Sequence, residues 1–406
     1  MTNILAATAS ETSKLFDNFK KFRDGFSLLE HTTYLSICDK MILHKAVRSS
    51  VIEFLDHLEN ASATRVDHEV KVATSKRKFA EMMRVHASTI AAIRNVSDGI
   101  NTIATAFPFG KMSNVVLTRD AEHPNNIYPW LNLRKRNGIE VRLVDPDPDG
   151  AINIDKLMEC SDENTVLISV ACVTFAPGHR TDLHRLGEFC SKKDIFLMVD
   201  GVQSAGILHH ELEAERIDGF ATSTSKGLLG LYGYGFLYTS PKWLERLEPV
   251  YLSRPAVVQG TDDHSVMGEF KFELRHDCGR FEVGSFNLAG AYAADRSLDL
   301  LNELNTVNIE DRVLNLSEML NEGIQELGFK VAVPKSGTQH SHIITVGTLD
   351  AGGHGFSSDP RIMPLSDKLK EHKVVHTIRR GQLRFGLHAY NNETDVQRVL
   401  DIMRLS

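Results

Sequence analysis

Between residues 114 and 200 short apolar runs alternate with amphipathic ones, and this alternation restricts the fold more than any other feature. NVVLT (114–118), EVRLVD (140–145), TVLISVACV (165–173) and IFLMVD (195–200) read as strands. The segments between them, HPNNIYPWLNLRKRNG (123–138), IDKLMEC (154–160) and LHRLGEFCSKKD (183–194), read as helices. Strands that are apolar throughout are covered on both faces, and strand–helix–strand alternation predicts a mostly parallel sheet in an α/β protein. Function in such sheets collects at the carboxyl ends of the strands. Asp200 and the segment from Thr118 to His123 occupy such ends.

The flanking regions extend this frame. Apolar residues recur at helical spacing over 14–31, 44–58 and 66–84, with YLSI (34–37) as a short strand. In the stretch 88–107 a turn cluster, Asn95 to Gly99, precedes a helix that Ser97 or Asp98 would cap. GFATSTSKGLLGL (219–231) and YGYGFLYTS (232–240) form a strand–loop–strand junction. Residues 252–285 are rich in loops, 288–327 read as one long helical stretch, and shorter strand and helix pieces follow to the C-terminus. The expected division is a segment 1–45 packing with a small domain, a large domain 46–287, and a small α+β domain 288–406.

Composition narrows the function classes. The 406 residues are 42% hydrophobic and 24% charged with a net charge of −7, so no basic surface recommends nucleic acid. The N-terminal stretch reads as neither a signal peptide nor a membrane span. Cys38, Cys160, Cys172, Cys190 and Cys278 are dispersed without metal-binding spacing. That pattern predicts no metal site and a reducing, cytoplasmic setting.

Lys226 stands among Ser223, Thr224, Ser225 and Gly227, a polar setting of the kind a Schiff-base lysine needs. The other parts of a pyridoxal phosphate site can be sought by their chemistry. A phosphate wants a helix N-terminus with hydroxyls, which Ser97-Asp98-Gly99 supplies, with Ser223 and Ser225 beside the lysine. A pyridine nitrogen wants a carboxylate, and Asp200 follows an apolar strand. The ring face wants a flat partner such as His123. A substrate carboxylate wants an arginine fork, and Arg384 lies inside the apolar run LRFGL. Taken singly, each has a plain structural explanation: a cap, a turn, a loop lysine, an edge arginine. Their order along the chain gives them weight.

In that order they resemble the class V aminotransferase and cysteine desulfurase superfamily, fold type I pyridoxal phosphate enzymes, over nearly the whole chain. VSDGINTIA (96–104) is similar to the family's phosphate-binding turn, and EHPNN (122–126) to its E-H-x-x-N motif. VDGVQSAG (199–206) is the most specific match and STSKG (223–227) resembles the lysine motif. RFEVGSFN (280–287) resembles the dimer-contact segment and LRFGLHAYNNETDV (383–396) the C-terminal motif. The resemblance implies that Lys226 carries the cofactor, Asp200 pairs with the ring nitrogen, and Gln203 bonds the phenolic oxygen. It places His123 on the ring face, Ser97 and Ser223 on the phosphate, and Arg384 on the substrate carboxylate, with Arg379 as a second arginine. It further implies a homodimer in which Ser285 reaches the neighbouring subunit's phosphate.

Three departures bear on the reaction. Desulfurases carry a cysteine shortly before the C-terminal arginine, whereas VVHTIRRGQLRFG (374–386) has none. Ser225 stands where desulfurases have histidine, and Phe175 in CVTFAPG stands where they have asparagine. The expectation is therefore an aminotransferase-type enzyme acting on an α-amino acid, with a carbon–sulfur β-lyase or an epimerase as alternatives.

Overall fold

The computed structural model describes residues 14–258, 272–334 and 336–405. The extreme N-terminus and the middle of the 252–285 region therefore lie outside the described residues. Strand β1 is Thr33–Tyr34, β2 Ile90–Ile93, β3 Asn114–Thr118, β4 Glu140–Val144 and β5 Thr165–Ala171. Strands β6 (Phe196–Asp200), β7 (Gly219–Ser223) and β8 (Gly235–Thr239) follow. A seven-stranded sheet has the order β2-β8-β7-β6-β5-β3-β4. The β4-β3-β5-β6-β7 run is parallel, and β8 runs antiparallel to both β7 and β2.

Both faces of this sheet are buried, as continuous apolar strands require. Along β6, Phe196 and Met198 join one apolar layer while Leu197 and Val199 join the other. Along β2, Ile90 and Ala92 divide from Ala91 and Ile93 in the same way. Strand β2 is an addition to the sequence reading, because four apolar residues ahead of a turn do not by themselves distinguish a strand from a helix.

The helical stretch after residue 287 divides in two, Leu288–Leu304 and Thr306–Glu326. Asn305 separates them: its φ is +66° and its side chain accepts the Val307 N–H at 3.0 Å, ending one helix and capping the next. Strands β9 (Ile343–Val346), β10 (Val374–Val375), β11 (Thr377–Arg379) and β12 (Gln382–Gly386) complete the fold. β9, β12 and β11 form an antiparallel sheet, while β10 pairs in parallel with β1. Residues 35–41 consequently lie along the C-terminal sheet: the Gly386 N–H bonds to the Leu35 carbonyl at 2.8 Å. Among the described residues no helix is long and apolar enough to cross a membrane.

Candidate active site

The connections leaving β2, β3, β5, β6 and β7 meet at the carboxyl ends of the parallel strands. They enclose a cavity of about 340 Å³ whose lining includes Ser97, His123, Asn126, Asp200, Ser223 and Lys226. This is where an open α/β sheet offers a crevice.

Asp200 ends β6 and is buried. One carboxylate oxygen accepts the Val202 N–H at 2.8 Å and the other accepts Asn126 Nδ2 at 2.7 Å. Burial pushes the Asp200 carboxyl above its usual range, against those two hydrogen bonds and the nearby Lys226 and His123. The same Asn126 nitrogen donates to Glu122 Oε2 at 3.0 Å, and Glu122 Oε1 accepts the Ala171 N–H at 2.8 Å. Burial pushes the Glu122 carboxyl up to about 7. In the E-H-x-x-N motif the sequence points to His123, and the structure adds Glu122 and Asn126. The spacing of Glu122 and Asn126, four residues apart at a helix start, was the available signal for the other two.

Asn95, Val96 and Ser97, at the start of the helix Val96–Ala106, also line the cavity. Asn95, rather than Ser97 or Asp98, is the cap: its Oδ1 accepts the Asp98 N–H at 3.0 Å. Asn95 has extended backbone and its side chain reaches across the first turn, a geometry closed to residues already inside the helix. Ser97 is left facing the cavity and its Oγ accepts Asn125 Nδ2 at 3.0 Å. Asp98 is not among the lining groups. Its carboxylate bonds to Arg94 at 2.7 Å, and it lines a second cavity of about 550 Å³ together with Ser285. Ser223 faces the first cavity, with its Oγ 3.4 Å from that of Ser225, which is buried behind it.

Lys226 follows in the loop after β7. Burial lowers its ammonium below the usual lysine range; Asp200 opposes this and Arg384 adds to it. His123 caps the helix Pro124–Asn137 through Nδ1, which accepts the Asn125 N–H at 3.2 Å. Its ring meets Phe175 edge-on, with centroids 5.4 Å apart. Partial burial and the Lys226 ammonium hold His123 below the usual imidazole range. Gln203 donates from Nε2 to the Cys38 carbonyl at 3.0 Å.

Arg384 lies on β12, with 2% of its surface exposed. It donates to Thr377 Oγ1 at 3.1 Å and to the Phe175 carbonyl. Arg379 is engaged elsewhere, in an ion pair with Asp39 at 2.7 Å. Segment 35–41 thus reaches the site from a part of the chain that sequence reasoning had assigned only to packing. The Met41 N–H bonds to the Ser225 carbonyl at 3.0 Å.

The residues fit pyridoxal phosphate. Two cavity-lining amides each keep a buried oxygen without a partner, Gln203 Oε1 and Asn126 Oδ1. The Asp200 oxygens each accept one bond and retain capacity for a donor from the ring. A helix N-terminus, Ser97 and Ser223 line the same cavity as Lys226, whose pKa is lowered.

Comparison with known proteins agrees. Residues 44–399 match the family model described as aminotransferase class-V. The chain is 24% identical over 383 residues to an uncharacterized aminotransferase of Bacillus subtilis, covering 94% of this chain and 96% of that protein. It is 29% identical over 257 residues to a probable cysteine desulfurase of Methanothermobacter thermautotrophicus, covering 63% of this chain and 62% of the relative's length. A solved C-DES mutant with glycine covalently linked to its PLP cofactor matches with a TM-score of 0.81 at 20% identity, covering 94% of this chain and 98% of that one. The chain therefore belongs to the class V aminotransferase family and has the fold of type I pyridoxal-phosphate-dependent enzymes.

Proposed function

We propose that this protein acts on the amino group and Cα of an α-amino acid as an aminotransferase-type enzyme. The observation that carries the reading is that Lys226 and Asp200 line one cavity together with a helix N-terminus, while the buried Arg384 bonds to the carbonyl of Phe175, another lining residue. Bound pyridoxal phosphate supplies an electron sink for the charge left when a bond at Cα breaks. The remaining work falls to the chain's own residues. Lys226 Nζ, with its lowered pKa, is suited to hold the cofactor and then to take the proton from Cα. Asp200 would keep a proton on the ring nitrogen. Ser97, Ser223 and the first-turn N–H groups would hold the phosphate, and Gln203 would bond the ring oxygen. His123 would pack on the ring. Arg384 orients the substrate carboxylate, which fixes the Cα–H bond relative to the ring.

The absence of a cysteine from 374–386, with Ser225 and Phe175 in place, favours transamination over a persulfide route. Curated relatives are named both as aminotransferase and as probable cysteine desulfurase, so the reaction after proton removal is the point to test. The reading also includes a cytoplasmic homodimer, with Ser285 and its exposed neighbours Tyr251 and Val283 meeting the second subunit. The same reading divides the chain into a segment 1–45 packing with the small domain, a large domain 46–287 and a small domain 288–406.

A panel of amino acids mixed with the cofactor-loaded protein tests this. Conversion of the cofactor to its amine form, with release of a keto acid, is the expected result. Pyruvate with sulfide or ammonia and an unchanged cofactor would assign a lyase instead. Loss of optical activity alone would assign an epimerase.

A further inference from the structure

Glu122 stands one helical turn ahead of Asn126 and one amide away from Asp200. A single nitrogen, Asn126 Nδ2, serves both carboxyls, at 3.0 Å to Glu122 and 2.7 Å to Asp200. Both acids are buried, with 4% and 6% of their surface exposed. Two anions joined through one neutral amide repel each other where water does not screen them, so the pair is most stable with one proton.

The surroundings decide where that proton sits. Asp200 faces Lys226 from the loop after β7 and His123 ahead of the helix, and both favour its charged form. The donors on Glu122 are neutral, the Asn126 amide and the Ala171 N–H from β5, and the charge set against it is that of Asp200. Burial raises both carboxyls, but Lys226 and His123 oppose the rise at Asp200, whereas burial aided by the Asp200 charge pushes Glu122 up to about 7.

We infer that Glu122 is a positioning residue for Asp200: through the shared Asn126 amide it fixes the orientation of that carboxylate and leaves the negative charge on it. The inference builds on the assignment of Asp200 to the ring nitrogen. Glu122 does not line the cavity, so it acts through Asn126 and Asp200 rather than on substrate. With Glu122 neutral, one of the two acids presents its charge to the ring. With Glu122 ionised, repulsion weakens the hold of Asp200 on its own anionic form.

The test uses the full chain with Glu122→Gln, Glu122→Ala and Asp200→Asn. Infrared difference spectra of the cofactor-free protein, taken across neutral pH, are expected to contain a protonated buried carboxyl that titrates near 7. That signal should vanish in Glu122→Gln and persist in Asp200→Asn. A titrating carboxyl that vanishes in Asp200→Asn but persists in Glu122→Gln would overturn the inference, as would its absence from the unsubstituted protein. This arm needs no cofactor, so it stands or falls separately from the proposed function. In the loaded protein, the visible band should shift with pH near 7, and Glu122→Gln should abolish that inflection. Glu122→Ala should lower kcat by roughly tenfold to a hundredfold, while Glu122→Gln stays within about threefold of the unsubstituted value below pH 7. Equal kcat in all three proteins, with the spectral inflection unchanged, would overturn it.

Discussion

Gly206 presses against the loop that carries Lys226: a Cβ placed on Gly206 would lie 2.5 Å from the Gly227 carbonyl oxygen. Its φ of +80° is also one that other residues adopt at a cost. The contact joins the turn that follows Asp200 to the loop that carries Lys226, so the two functional groups are set by the same close approach. Gly206→Ala is expected to cost about 1–3 kcal/mol of stability and to weaken cofactor retention. Denaturant unfolding and a cofactor release assay check this. Unchanged values in both would mean that the two loops adjust freely.

The Glu122 carboxyl has a stability consequence of its own. In the unfolded chain it titrates near 4.5, and in the folded protein near 7. Folding therefore takes up a proton between those values, and the folded state loses stability as pH rises through the window. The contribution is about 3 kcal/mol, complete above pH 7. Unfolding of the cofactor-free protein between pH 4.5 and 7.5 measures it, and Glu122→Gln should flatten that component of the profile.

A buried histidine, His210, pairs with the half-buried Glu215. His210 Nδ1 bonds to Glu215 at 3.0 Å and Nε2 to Ser204 Oγ at 2.9 Å, both nitrogens donating when the ring is charged. Burial works against that charge, but Glu215 and Cys172 together outweigh it and hold the imidazole above its usual range. Stability from this pair is present below pH 6.5 and is lost in alkaline solution as the ring deprotonates. His210→Ala removes the nearest positive partner of the half-buried Glu215 and is expected to cost about 1–3 kcal/mol. Equilibrium unfolding of His210→Ala at pH 6.5 and at alkaline pH, beside the unsubstituted protein, checks both the size and the sign. An unfolding curve that does not change would show the pair to be neutral.

Arg384→Lys tests the carboxylate clamp. Lysine keeps the charge but lacks the planar fork that spans the Thr377 hydroxyl and the Phe175 carbonyl. A fall of roughly a hundredfold in kcat/KM is expected, mainly through KM, with cofactor binding unchanged. Steady-state kinetics with one responsive amino acid separates the two parameters.

Much of this molecule was readable from its sequence, for identifiable reasons. The parallel strands carry unbroken apolar runs, and the acids and hydroxyls at their ends sit in short motifs, so Asp200, His123, Ser97, Ser223 and Lys226 could be named together. Strand β2 escaped because IAAI has no period of its own and is defined by its partner β8. The contribution of Cys38, Asp39 and Met41 could not be read, since it depends on pairing between β1 and β10, which lie far apart in the chain. Asp98 was misplaced for a local reason. Inside a helix its side chain turns to Arg94 four residues earlier, away from the cavity that its neighbour Ser97 faces.

The central claim is that Lys226 holds pyridoxal phosphate. The most direct measurement is borohydride reduction of the loaded protein followed by peptide mass analysis. A phosphopyridoxyl group on Lys226, absent from Lys226→Ala, is the predicted result. A label on another lysine, or a protein that takes up no cofactor, would contradict the account.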